Sequence, residues 1–207
     1  MNNPKCQLYL ISPLDVSGDF PARLKEALSA GPVAAFQFRV KGKSNHDAAR
    51  LAAPLQEICA VHDVAFIVND NVTLAKRLKA DGVHLGQSDG DVKVAREELG
   101  HDVQIGVTCH NSRHLAMEAG EAGADYVAFG AFFPSMTKQV QHIAELETLQ
   151  KWVKVMEVPC VAIGGITPEN AKAVIEAGAD FIAVSSAVWD HPKGCVAAVK
   201  AFNSLLA

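Results

Sequence analysis

Short apolar runs alternate with amphipathic stretches along the whole chain. Most of the apolar runs lack a polar residue at every second position, which is typical of parallel strands buried on both faces. The stretches between them have a helical pattern and often close on Gly. We predict eight strands, at residues 7–12, 33–39, 65–70, 82–86, 104–109, 126–130, 160–165 and 181–186. Helices are predicted between them, among others at residues 45–62, 71–80, 91–99, 112–122, 145–157 and 168–177.

Strands that alternate with helices indicate an α/β fold with a parallel sheet. Eight strands in 207 residues suit a (β/α)8 TIM barrel, which we expect to form one domain over residues 1–207. An open doubly wound sheet is the alternative, but no G-x-G-x-x-G follows an early strand, which removes its main support. Three similar helix-to-strand returns, KADGVHLG, AGADYVAFG and AGADFIAVS, are interpreted as scaffold turns.

Composition narrows the class of protein. The formal net charge of -4 argues against a nucleic-acid partner. The five cysteines are widely spaced and form no C-x-x-C motif, which disfavours disulfides and zinc and favours a reducing compartment. The first residues carry too short an apolar run for a signal peptide, and no run of about 18 apolar residues occurs. We therefore expect a cytoplasmic protein without a membrane partner.

Polar residues gather where the predicted strands end, which is where (β/α)8 barrels bind their substrates. Gln37, Arg39 and Lys41 alternate along the end of the second strand, so their side chains are expected to project together into the barrel mouth. Two cations beside an amide predict a clamp for a polyphosphate. The alternative is a solvated charged loop.

Asp70 and Asp89 follow neighbouring strands and form a candidate metal site. Two carboxylates together with substrate phosphate oxygens suit Mg²⁺. The alternative is structural, with Asp70 as the N-cap of the next helix and Asp89 as a turn residue.

The last two strands predict a phosphate site. Gly165 lets backbone N–H groups approach an anion, and Ser185 and Ser186 follow the eighth strand. Thr167 is expected to be the N-cap of the following helix, with Pro168 as its first residue.

His84 and His110 also lie near strand ends, where we expect packed or hydrogen-bonded side chains rather than catalytic ones. The long segment 131–144 is a candidate lid in which Lys138 reaches a phosphate and Ser135 and Thr137 donate to a second substrate.

These residues resemble the motifs of the thiamine phosphate synthase family along nearly the whole chain. The motifs are QFRVK at 37–41, ND at 69–70, DGVHLGQSD at 81–89, IGVTCH at 105–110, FFPSMTK at 132–138, AIGGITPEN at 162–170 and VSSA at 184–187. The resemblance implies an enzyme that couples a hydroxymethylpyrimidine diphosphate to a thiazole phosphate. It also implies that diphosphate leaves first and that the thiazole nitrogen attacks the resulting pyrimidine carbocation.

The resemblance further implies a role for each candidate residue. The pyrimidine diphosphate is expected on Gln37, Arg39, Lys41, Asn69 and Lys138, with Thr108 near its ring, and Mg²⁺ is expected on Asp70 and Asp89. The thiazole phosphate is expected on Ser135, Thr137, Gly165, Ser185 and Ser186. Arg39, Lys41 and Lys138 are the expected catalytic cations because they stabilise the leaving diphosphate.

Other functions on the same barrel stay open at this stage. A thiazole tautomerase needs a general base and has no use for a complete diphosphate and metal set. A sugar-phosphate isomerase or epimerase is supported only by the phosphate loops, and a non-catalytic thiamine-precursor sensor is free to lose one of the charged groups. The resemblance leaves a monomer or a small homo-oligomer open.

Overall fold

A computed structural model describes residues 6–134 and 142–206 of the chain. The strands in this part are Gln7–Ile11 (β1), Ala35–Phe38 (β2), Ala65–Asn69 (β3), Gly82–Leu85 (β4), Gln104–Thr108 (β5), Tyr126–Gly130 (β6), Cys160–Ile163 (β7) and Phe181–Val184 (β8). The helices are Phe20–Leu28 (α1), Asn45–Val61 (α2), Val72–Leu78 (α3), Val92–Leu99 (α4), Arg113–Glu121 (α5), Leu146–Val155 (α6), Ala171–Glu176 (α7), Ser186–Trp189 (α8) and Gly194–Leu206 (α9).

The strands form one closed parallel barrel in sequence order. Each strand pairs with the next along the chain, and β8 pairs with β1 from Gln7 opposite Phe181 to Leu10 opposite Val184. The single-domain (β/α)8 barrel predicted from the sequence is therefore confirmed. All carboxyl ends of the strands meet at one rim, because the strands are parallel and the sheet has no edge.

Apolar side chains divide between two layers. The outer layer lies between the barrel and its helices and contains large residues such as Phe36, Phe38 and Phe66. The inner layer is small, and its buried members are Tyr9, Ile11, Ala35, Ile67, Tyr126, Ala128, Val161 and Ala183. Successive strand residues point to opposite faces, so the buried side chain of Gln37 lies between Phe36 and Phe38 in sequence but points into the barrel.

The three scaffold turns share a hydrogen bond as well as a sequence pattern. The carboxylate of Asp81 accepts the backbone N–H of Phe66 at 2.7 Å, and that of Asp125 accepts the N–H of Ile105 at 2.6 Å. The carboxylate of Asp180 accepts the N–H of Cys160 at 2.8 Å. Each aspartate thus ties the start of one strand to the preceding strand, at the end of the barrel opposite the rim.

Two local predictions are wrong. The second strand begins at Ala35 and ends at Phe38 rather than spanning 33–39, because the N–H of Arg39 turns away to donate to the Ser12 hydroxyl. Thr167 and Pro168 do not start α7, which begins at Ala171. The residues before α7 form a turn instead, in which the side chain of Asn170 accepts the N–H of Thr167 at 2.8 Å.

Within the described ranges, none of the helices has the length and hydrophobicity needed to cross a membrane.

We predict that Asp125→Ala lowers the free energy of unfolding by about 1.5–3 kcal/mol, because Asp125 binds both the Ile105 N–H and the Arg96 guanidinium. Urea unfolding measures this change. Glu176→Ala is the control, because it removes only the exposed ion pair with Lys172 and should change stability by less than about 0.5 kcal/mol. Equal effects of the two variants would contradict the scaffold role.

Candidate active site

Charged residues from three neighbouring strands meet at the rim. Asp70 directly follows β3, and its carboxylate lies 3.7 Å from the Lys41 ammonium, which follows β2. The same carboxyl group is hydrogen-bonded to Asp89, which follows β4, and to the side chain of Asn69. Four of the predicted site residues therefore form one cluster. We call it the carboxylate cluster, and its members are Lys41, Asn69, Asp70 and Asp89.

The carboxylate cluster changes the acidity of Asp70. Burial raises the pKa of Asp70, and the negative charge of Asp89 with the hydrogen bond between the two carboxyl groups raises it further. Lys41 and Asn69 oppose this rise but do not cancel it. Two neighbouring carboxyl groups form a site at which a bound cation relieves the repulsion between their charges.

The structural alternative for Asp70 is wrong, and the one for Asp89 describes part of its environment. The N-cap of α3 is Asn71, whose side chain accepts the Leu74 N–H at 2.8 Å, so Asp70 is not used as a cap. The carboxylate of Asp89 accepts the N–H of Gly86 at 2.9 Å. This turn holds Asp89 over the end of β4, where it also meets Asp70.

Ser12 joins the end of β1 to residues on both sides of it. Its buried hydroxyl accepts the N–H of Arg39 at 2.8 Å, and it has two carbonyl acceptors within reach, that of Pro13 at 2.9 Å and that of Arg39 at 3.2 Å. The carbonyl oxygen of Ser12 accepts a hydrogen bond from the Ser185 hydroxyl at 3.4 Å. The backbone at Arg39 and the side chain of Ser185 are thereby fixed to a common residue, which sequence reasoning missed.

Below the rim, hydrogen bonds connect side chains from five strands. Gln37 donates to the Tyr9 hydroxyl at 2.9 Å, which lies 3.0 Å from the Tyr126 hydroxyl. The Tyr126 hydroxyl lies 3.1 Å from Nδ1 of His84, and Nε2 of His84 lies 2.7 Å from the Thr108 hydroxyl. We call this set the inner chain. The expectation that His84 is hydrogen-bonded is confirmed.

Burial governs the protonation of the inner chain. It lowers the pKa of His84 to about 4, so the imidazole is neutral at physiological pH. It raises the pKa of Tyr9 to about 12. Neither tyrosine was predicted as a site residue. One signal was present in the sequence, since the chain has only two tyrosines and both occupy predicted strands.

The loops that follow β6 and β7 lie in close contact with each other. The N–H of Phe133 donates to the Gly164 carbonyl at 3.1 Å. Gly165 has a φ of 64°, and a Cβ at this residue would lie 2.3 Å from the carbonyl oxygen of Pro134. Only glycine combines this backbone conformation with so close an approach. The side chain of Asn170 donates to the Gly165 carbonyl at 3.0 Å and holds the loop from the other side.

The end of β8 leads into a short extra helix that the sequence did not reveal. Ser185 is the N-cap residue of α8, whose first residue is Ser186. Phosphate sites of (β/α)8 barrels combine the loops after the seventh and eighth strands with the N-terminus of a short extra helix. The predicted phosphate residues Gly165, Ser185 and Ser186 occupy these elements. The other predicted residues after β6, which are Ser135, Thr137 and Lys138, lie outside the described residues.

In the part of the chain that the structure describes, no three His, Cys, Asp or Glu side chains form a complete metal site. The pair formed by Asp70 and Asp89 nevertheless fits Mg²⁺, because this ion binds through one or two carboxylates and completes its shell with water and substrate phosphate oxygens.

A closed parallel barrel with carboxylates, a cation and a phosphate-type loop at one rim defines a (β/α)8-barrel enzyme. The sequence model described as thiamine monophosphate synthase matches residues 8–188. The chain belongs to the thiamine monophosphate synthase family, and it is therefore a transferase.

Individual relatives agree with the family match. A thiamine-phosphate synthase from Erythrobacter litoralis is 67% identical over 205 residues, which cover 97% of this chain and 95% of that protein. Another, from Rhodospirillum centenum, is 51% identical and covers 97% of this chain and 98% of its own length. A solved thiamine phosphate pyrophosphorylase from Pyrococcus furiosus is similar with a TM-score of 0.86 at 32% identity, covering 99% of this chain and 96% of that one.

We predict that Asp70→Asn raises the melting temperature of the metal-free protein at pH 7. A carboxyl group whose pKa is raised by folding adds stability at low pH and loses it as the pH rises through the folded pKa. At pH 7 the carboxyl group of Asp70 therefore destabilises the fold, and its neutral replacement does not. The difference should shrink as the pH falls, which calorimetry at several pH values measures.

Asp63→Asn is the matched control for this prediction. Asp63 also has a left-handed backbone, with a φ of 55° compared with 64° for Asp70, but it is exposed. Its replacement should leave the melting temperature nearly unchanged. A lower melting temperature for Asp70→Asn at pH 7 would contradict the proposed repulsion between Asp70 and Asp89.

Proposed function

We propose that this protein makes thiamine phosphate from a hydroxymethylpyrimidine diphosphate and a thiazole phosphate by a dissociative, Mg²⁺-assisted reaction. The bond between the pyrimidine methylene carbon and the diphosphate oxygen breaks first, and the diphosphate leaves with the electron pair. The thiazole nitrogen then attacks the pyrimidine carbocation and forms the new carbon–nitrogen bond. The observation that carries this proposal is the carboxylate cluster, at the same rim as the phosphate-type loops of β7 and β8.

The diphosphate is assigned to the β2–β4 side of the rim. Lys41 and Arg39 supply positive charge there, Asn69 supplies a polar side chain at the end of β3, and Thr108 adds a hydroxyl from the adjoining end of β5. Asp70 and Asp89 would hold Mg²⁺. When bound, this ion neutralises charge on the diphosphate and makes it a better leaving group. The raised pKa of Asp70 supports this assignment, because bringing a cation to the pair relieves the repulsion between the carboxylates.

The thiazole phosphate is assigned to the β7–β8 side of the rim. The backbone of Gly165 and the residues that begin α8, Ser185 and Ser186, provide N–H and hydroxyl donors for a phosphate. Ser135, Thr137 and Lys138 complete the two substrate sites in this proposal, on the basis of the FFPSMTK motif. The protein contributes mainly by positioning one substrate over the other and by stabilising the leaving group.

The proposed reaction needs no strong protein base, and the protonation of His84 agrees with this. Its pKa of about 4 and its buried position suit a fixed hydrogen-bonding group. A thiazole tautomerase, in contrast, must take a proton from carbon and needs a base at the substrate.

We further propose that the enzyme works in the cytoplasm on small phosphorylated molecules. All five cysteines are buried free thiols, which agrees with a reducing compartment.

The direct test is product formation from the two purified precursors, first with Mg²⁺ and then with excess chelator. We expect thiamine phosphate and diphosphate in equal amounts, and loss of both products when the chelator is added. Asp70→Ala should abolish coupling while thiazole phosphate still binds. Binding of thiazole phosphate by the wild-type protein without any product would support the tautomerase or sensor function instead.

We predict that Lys41→Ala weakens binding of the pyrimidine diphosphate by about 1.5–3 kcal/mol, the range for a hydrogen bond to a charged group. The KM for thiazole phosphate should not change. Steady-state kinetics with each substrate varied in turn measures both effects. Lys43→Ala removes the same charge two residues further along the chain and is the control. Undiminished affinity in Lys41→Ala would remove this residue from the diphosphate site.

A further inference from the structure

We propose that Tyr126 and His84 are positioning residues. The hydrogen bonds of the inner chain all run in one donor-to-acceptor direction, and this direction leaves the hydroxyl group of Thr108 free to donate at the rim. This inference rests on the proposed function, since the acceptor for that donor is the pyrimidine diphosphate. Neither Tyr126 nor His84 touches the reacting atoms in this account. Both act through Thr108.

The donor-to-acceptor direction of the hydrogen bonds in the inner chain is set at Gln37. Its side-chain nitrogen donates to the Tyr9 hydroxyl, so the Tyr9 hydroxyl oxygen accepts there and its own proton is left for the Tyr126 oxygen, 3.0 Å away. With that proton received, the Tyr126 hydroxyl donates to Nδ1 of His84 at 3.1 Å. Each buried hydroxyl then accepts once and donates once, which satisfies its hydrogen-bonding capacity.

The direction continues through the imidazole to the rim. A neutral histidine carries a proton on one ring nitrogen only. If Nδ1 of His84 accepts from Tyr126, its Nε2 carries the proton and donates to the Thr108 oxygen at 2.7 Å. The hydroxyl proton of Thr108 must then be given to a different acceptor. Thr108 ends β5 at the rim and is partly exposed, so this proton is available to a substrate.

The geometry of the barrel holds the inner chain in place. The ring of Tyr126 lies against β5 at Gly106, where a Cβ would approach the ring to 2.0 Å. The same ring stacks on His84, with centroids 5.6 Å apart and an interplanar angle of 30°. Tyr9, Gln37 and His84 are buried, so the side chains of the inner chain need no reorganisation when the substrate binds.

The reversed direction is the competing arrangement. It requires the amide of Gln37 to be turned over so that its oxygen accepts from Tyr9. The proton of His84 would then lie on Nδ1, and Thr108 would donate into the protein. Thr108 would present only an oxygen lone pair to the substrate, which a negatively charged diphosphate would repel. The two directions therefore differ in a measurable property, the tautomer of His84.

The first experiment reads this tautomer by ¹⁵N NMR of the ring nitrogens in the full-length, ligand-free protein. We expect the His84 proton on Nε2, with the resonance assigned by its loss in His84→Gln. A proton on Nδ1 would overturn the proposal. This result does not depend on activity. If the proton is on Nε2 but the wild-type enzyme makes no thiamine phosphate, the proposed direction stands and the proposed function fails.

The second experiment compares matched variants by kinetics. Tyr126→Phe keeps the ring and removes one hydroxyl, so the tautomer preference of His84 should be lost. The KM for the pyrimidine diphosphate should rise about tenfold, while the KM for thiazole phosphate should not change. His84→Gln places an amide donor near the Nε2 position and should retain more affinity than His84→Asn, whose shorter side chain reaches only the Nδ1 position. An equal loss in all three variants, or an equal rise in both KM values, would reduce the inner chain to a structural role and overturn the proposal.

Thr108 itself provides the last pair of variants. Thr108→Ser keeps the hydroxyl and should bind the pyrimidine diphosphate nearly as the wild type does, whereas Thr108→Val keeps the shape and should bind it about tenfold more weakly. Calorimetry with Mg²⁺ and inorganic diphosphate identifies the acceptor. A loss for this probe in Thr108→Val assigns the acceptor to a phosphate oxygen, and a loss for the complete substrate alone assigns it to the pyrimidine ring. Unchanged affinity for both probes would overturn the proposal.

Discussion

The pairing of β8 with β1 is the contact on which the rest of this structure depends. It joins residues 174 positions apart, with Gln7 opposite Phe181, and it converts a row of strands into a ring. In an open sheet the ends of β2 and β8 would lie far apart. In the ring, Ser12 after β1 binds both Arg39 after β2 and Ser185 after β8. Barrel closure therefore brings the ends of β2 and β8 to one rim, as the proposed reaction of two substrates requires.

The interior of the closed barrel also cannot hold a large side chain at every inward-facing position. Alanines and a glycine line part of it, and the space is taken up by Tyr9 and Tyr126, whose hydroxyls need partners because they are buried. Those partners are Gln37 and His84, and the last of them reaches Thr108. The packing of the interior and the polarity of the rim are thus consequences of the same side chains.

At the rim, the carboxylate cluster is expected to lower the stability of the fold. Burial raises the pKa of Asp70, and the nearby negative charge of Asp89 raises it further. Such an arrangement disfavours the ionised apoprotein and favours a bound cation. The aspartates at the opposite end of the barrel differ, because Asp81, Asp125 and Asp180 each accept a backbone N–H. Aspartates thus stabilise the barrel at one end, and at the other end they form the proposed cation site.

The sequence predicted the barrel well because periodicity and glycine turns are local signals repeated in every unit. It predicted the members of the carboxylate cluster from another local signal, since each lies at the end of a strand or in the loop that follows it. It could not reveal the inner chain, because the contact of Tyr9 with Tyr126 spans 117 positions and depends on the barrel register. The turn before α7 was missed because side-chain hydrogen bonds of Asn170, and not periodicity, hold it. The helix α8 was missed because its four residues are too few to show a helical pattern.

In the proposed function, the rim is divided between a cation-dependent diphosphate site and a separate phosphate site. Calorimetric titration with inorganic diphosphate, in Mg²⁺ and then in chelator, tests this division most directly. We predict one diphosphate bound per chain, with affinity that is lost in chelator and in Asp70→Asn, while thiazole phosphate binds equally well in all three conditions. Diphosphate binding of equal strength with and without Mg²⁺ would contradict the account.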